Sequence, residues 1–111
     1  MERLRQAASV LMLLSGVTHT AHFLIWDPSP SNTAIAAGFG VCYLAIGVLL
    51  LRPWSIGLWL GAIVPAIGGV LGGLVALANP DPLPLFHAAI NWAVFPSCIY
   101  LLFQHGSQPA P

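Results

Sequence analysis

Lysine is absent from this chain, and charge of either sign is scarce: three arginines stand against three acidic residues. Charged residues make up 5% of the sequence, where a soluble domain carries about 25%. So little charge cannot cover a water-facing surface. The missing basic cluster excludes a nucleic-acid partner, which needs Lys and Arg to displace counterions. It equally excludes a polybasic segment lying on a membrane. Cysteine is limited to Cys42 and Cys98, not in CxxC spacing and both inside apolar runs. They read as small buried hydrophobes, with a disulfide or a metal thiolate as the sharper alternative. The constellations of enzyme chemistry are missing too. No Ser-His-Asp arrangement, HExxH, carboxylate pair or lysine-bearing phosphate loop occurs, so enzyme chemistry has little support and the reading leans away from an enzyme.

What the sequence has in abundance is apolar surface: 58% hydrophobic residues and a mean hydropathy of +0.86. Four apolar runs, over 7–26, 33–51, 54–78 and 85–103, contain no Asp, Glu, Lys or Arg. A helix of about 20 residues crosses a ~30 Å hydrocarbon core, and each run is near that length. No period-two alternation supports strands. The expected fold is a single all-α membrane domain over 1–111: a four-transmembrane-helix bundle with short loops.

The breaks between runs have turn chemistry. The segment from Asp27 to Asn32, with Pro28 and Pro30, should stop one helix and cap the next. Arg52 and Pro53 form a very short second connection. Pro80, Pro82 and Pro84 suggest a stiff, extended third linker. The polar tail from Gln104 onward reads as disordered. With four crossings, Arg3, Arg5 and Arg52 fall on one side, and Asp27 and Asp81 on the other. The positive-inside rule then places both termini in the cytoplasm, with the protein spanning the plasma (inner) membrane. Arg3 and Arg5 before an apolar run also resemble a signal peptide, but no A-x-A site follows and the apolar character resumes through Trp26.

Glycine marks the expected packing centre. The third run holds three small-xxx-small pairs, Gly57 with Gly61, Gly68 with Gly72 and Gly69 with Gly73. The second adds Gly38, Gly40 and Gly47. Close backbone approach replaces hydrophobic drive in lipid, so these two helices should pack together, within the chain or in a homo-oligomer. Pro65 and Pro96 fall mid-helix, as fixed kinks or transport hinges. Trp26 and Trp54 suit interfaces, and Trp59 and Trp92 should pack or face lipid.

Polar residues inside such helices are rare and turn inward. His19 and His22 share one face of the first helix, and His87 and Asn91 share one face of the fourth. At 1.5 Å per residue, His22 lies about 6 Å and His19 about 10 Å below the outer boundary. On the same scale His87 lies about 3 Å and Asn91 about 9 Å deep, and Cys42 and Tyr43 lie about 12–14 Å deep as a floor. One polar layer in the outer leaflet is expected if the first and fourth helices are neighbours. Three readings follow. The layer is an interhelical hydrogen-bond cluster; or His19, His22 and His87 hold haem or a transition metal; or the site binds a lipid-soluble molecule such as a quinone or an isoprenoid.

In size and helix count the chain resembles the small multidrug-resistance transporters. That family carries a membrane-embedded glutamate in its first helix for proton-coupled exchange. Here the only glutamate, Glu2, precedes the first run, so the resemblance covers architecture alone. The functional expectation is an accessory subunit of a larger membrane complex or a ligand-binding bundle, with a small oligomeric transporter as an alternative.

Overall fold

A computed structural model describes residues 2–25, 30–78 and 82–107, with side chains described for 2–21, 37–78 and 82–105. The described residues are all helical apart from the short connection at 51–54. The helices are α1 (Glu2–Ile25), α2 (Pro30–Leu50), α3 (Ser55–Ala78) and α4 (Pro82–Ser107). Two stretches are long and apolar enough to cross a membrane, Ser55–Ala78 and Pro82–His105. A shorter apolar stretch covers Ala37–Leu50 in α2.

Helix ends depart from the hydropathy reading, for identifiable reasons. α1 starts at Glu2, several residues before its apolar run. An acid in the first turn suits the positive end of the helix dipole, and Arg and Gln are good helix formers. Hydropathy measures neither effect. Pro30 and Pro82 are the first described residues of α2 and α4, and a proline is tolerated in a helix's first turn because its missing N–H has no intrahelical partner there. Ser31 and Asn32, expected in a loop, therefore lie inside α2. Pro82 and Pro84 belong to α4 rather than to an extended linker. The tail remains helical through Ser107. α3 and α4 both run on through their internal prolines, Pro65 and Pro96. Trp26, Asp27, Pro80 and Asp81, for which positions at an interface, in a turn or in a linker are expected, lie outside the described residues.

Each helix packs on its two sequence neighbours, with α1 against α4 closing the ring. The contacts run antiparallel throughout. Along α1 and α2, Ser9 meets Gly47 and Gly16 meets Gly40. Along α3 and α4, Gly61 meets Cys98 and Gly69 meets Trp92. One core joins Met12, Tyr43, Ile46, Leu58, Val94 and Cys98. At the end holding Glu2 and Leu50, the Arg5 guanidinium ties α1 to the α2–α3 turn. Its Nε donates to Leu50 O at 2.9 Å, and its Nη2 donates to the carbonyls of Arg52 and Trp54. Leu50 O is one of the carbonyls a helix C-terminus leaves unpaired, and Arg52 and Trp54 lie in the connection between α2 and α3.

The expected α2–α3 packing forms only in part: Gly57 of α3 lies against the Leu49 backbone of α2 and Gly68 against Tyr43. The broad interfaces are α1–α2 and α3–α4, and the α2–α3 interface is narrower. A Cβ on Gly40 would stand 3.2 Å from Gly16 O, and one on Gly47 would stand 2.7 Å from Leu13 Cγ. Those two α2 glycines thus serve the approach of α1. Gly61 and Gly69 of α3 admit Cys98 and Trp92 of α4 instead. Gly38, Gly72 and Gly73 admit nothing, since a Cβ there would meet no atom within 4 Å. The outside of the ring is apolar: Val10, Val41, Val48, Trp59, Ile67 and Leu74 are each more than half exposed.

Candidate functional site

The polar layer forms where α1 meets α4, near the end holding Ile25 and Ala78. His19 and His87 stack face to face, with ring centroids 3.7 Å apart and an interplanar angle of 19°. Tyr43 of α2 meets the His19 ring edge-on at 5.2 Å. The Tyr43 hydroxyl hydrogen-bonds the side chain of Asn91 in α4. That hydroxyl rests directly on Gly68, where a Cβ would overlap it. All four helices therefore contribute to one centre. Tyr43 and Asn91 are almost wholly buried, at 1% and 2% exposure, and His87 reaches 9%.

A hydrogen bond assigns the proton on His19. His19 Nδ1 lies 2.8 Å from Ser15 O. A carbonyl only accepts, so Nδ1 carries the proton and Nε2 is the basic nitrogen. The Thr18 hydroxyl lies 2.9 Å from Leu14 O and 2.7 Å from His87 Nε2. This hydroxyl therefore bridges the α1 backbone to the α4 imidazole.

Asn91 is the exception to this pairing. Its Oδ1 is buried and has no hydrogen-bond partner among the described residues. A buried acceptor left unpaired costs about 1–3 kcal/mol, more than the bond to Tyr43 returns. On the α3 side of this centre, one turn beyond Gly68, stands Gly72 with open room for a Cβ.

The expected site residues fare differently. His19, His87, Asn91 and Tyr43 come together. Cys42 does not: it is exposed on the outside of the ring, because adjacent helical residues point about 100° apart. The side chain of His22 lies outside the described residues. Ser15 and Gly68 belong to the centre and were not singled out for it. Ser15 was legible as the i−4 partner of His19, whereas nothing in the sequence pairs Gly68 with Tyr43.

The stacked pair does not fit a shared metal or haem iron. Imidazole lone pairs lie in the ring plane, so two rings stacked at 3.7 Å aim them side by side rather than at one point. His87 Nε2 is also engaged with Thr18. Among the described residues, no group of three or more His, Cys, Asp or Glu gathers to hold a metal ion. What the centre offers is directional hydrogen bonding in an apolar surround. The chain matches no protein-family model, no curated protein and no solved structure.

Proposed function

We propose that this chain is a four-crossing protein of the plasma (inner) membrane, with both ends in the cytoplasm. In its outer half, the centre at His19, Tyr43, His87 and Asn91 binds the polar head of a lipid-soluble small molecule. The membrane reading draws on the apolar exterior. The two long apolar stretches are about one-third or less buried inside the protein, at 33% and 28%. The core helix of a soluble protein would be mostly covered. An exposed apolar surface of this extent needs lipid or a partner against it. The orientation draws on Arg3, Arg5 and Arg52 sharing one side.

The binding reading rests on the unpartnered Asn91 Oδ1. An acceptor needs a donor, so the ligand head carries an O–H or N–H hydrogen. A prenyl alcohol or a quinol supplies one as a hydroxyl on an apolar tail. A small molecule of this kind fits a site of few polar groups inside an apolar wall. The test is mass spectrometry of lipids carried through mild detergent purification, with the Asn91→Leu variant as control. A hydroxyl-bearing isoprenoid or quinol enriched on the native chain and depleted on the variant is the expected result. Equal lipid profiles on the two proteins contradict it.

The bare backbone at Gly72 and Gly73 supports a second reading, in which a helix of another copy or of a larger complex packs there. Cross-linking through Gly73→Cys tests it: a covalent dimer formed in the membrane supports the oligomer, and a monomer excludes it.

A further inference from the structure

The opposite end of the ring holds a concave site. An open groove of about 440 Å³ is lined by Glu2 and Arg5 of α1, by Arg52 in the α2–α3 turn, by Leu58 of α3, and by Leu101 and His105 of α4. Its volume falls within the roughly 300–1,000 Å³ of small-molecule sites. The geometry points to a binding site for the headgroup of an anionic glycerophospholipid, phosphatidylglycerol being the simplest. This inference rests on the membrane reading above, but not on the Asn91 site.

Three features carry it. The first is a fixed cation. Arg5 is held by the carbonyls of Leu50, Arg52 and Trp54 through its Nε and Nη2 groups. Those bonds leave both Nη1 hydrogens, and the charge, for a phosphate oxygen, which guanidinium recognises well. The second is charge balance. Two arginines line the groove against one carboxylate, so a phosphodiester restores neutrality. Glu2 then accepts from a headgroup hydroxyl, which phosphatidylglycerol has and phosphatidylcholine lacks. The third is apolar surface. Leu51, 58% exposed, and Pro53 line the same groove, so open apolar surface for the glycerol backbone and first acyl carbons adjoins the charged rim, over a floor closed by the core leucines Leu58 and Leu101. The cytoplasmic leaflet, where the arginines place this end, is the anionic one.

Native mass spectrometry of the detergent-purified full chain tests the inference, with phosphatidylglycerol, phosphatidylcholine or inorganic phosphate added. Phosphatidylglycerol should be retained about tenfold more strongly than phosphatidylcholine, and millimolar phosphate should not displace it. Arg52→Gln should remove most of that preference, because it takes one of two guanidinium contacts to the phosphate. Arg52 is exposed and its side chain makes no bond among the described residues, so the variant should keep its helical circular dichroism. Equal retention of the two lipids, displacement by phosphate, or an unchanged preference in Arg52→Gln each overturns the proposal. Fractionation before purification keeps the underlying reading separate. A chain that stays soluble without detergent refutes membrane insertion itself. One that sediments with membranes yet binds both lipids equally refutes only the headgroup site.

Discussion

At Gly68 a single hydrogen atom stands where a methyl group would strike the Tyr43 hydroxyl. Gly68→Ala should therefore destabilise the protein by about 1–3 kcal/mol, as overpacking does. Gly72→Ala, one turn away with open room, should be neutral in the same thermal melts. The double variant Gly68→Ala with Tyr43→Phe should recover much of the loss, because the atom being struck is gone. Additive losses would mean that the hydroxyl does not rest there. Residue-scale legibility was uneven. His19 and His87 could be paired in advance, since helix direction and spacing set their depth. Tyr43 and Cys42 could not be told apart. α2 is apolar all round, so its sequence carries no amphipathic stripe to say which side faces in.

At the scale of the helices, Arg5 links three segments through one planar group. Arg5→Ala should remove one part-buried and two exposed bonds, to Leu50, Arg52 and Trp54, at a cost of about 1 kcal/mol, since water can reach the exposed carbonyls. Amide exchange should quicken around the α2–α3 turn. Arg5→Lys should rescue little, because a compact ammonium lacks the fork that reaches several acceptors at once. Exchange unchanged in Arg5→Ala would show that the turn holds itself. The four helices were legible from hydropathy alone, but their partners were not. A small-xxx-small pair announces close approach without naming what approaches. Gly40 and Gly47 turned out to serve α1, and Gly61 and Gly69 to serve α4. The helical placement of Pro30 and Pro82 was hidden for a different reason: proline breaks a helix interior and suits a first turn.

For the whole molecule, the ring closes α1 on α4, and that closure is what carries His19 to His87. The topology has its own test. Single cysteine reporters at Asp81 and Ser107, in a chain with Cys42→Ala and Cys98→Ala, should react with an impermeant maleimide from opposite sides. The Asp81 position should label in intact cells and the Ser107 position only after permeabilisation. Labelling of both from one side would contradict four crossings.

The central claim is that Asn91 Oδ1 awaits a donor from a lipid-soluble ligand, and a titration meets it most directly. The purified chain is titrated with farnesol and with farnesyl methyl ether, following the fluorescence of Trp92 beside Asn91 in a variant whose other tryptophans are phenylalanine. Farnesol should bind saturably, with about tenfold weaker binding in Asn91→Leu, equivalent to about 1.4 kcal/mol. The ether, which keeps the tail and loses the O–H, should bind as weakly as that variant does. Equal binding of alcohol and ether by the native chain, or no saturable binding of either, would contradict the account.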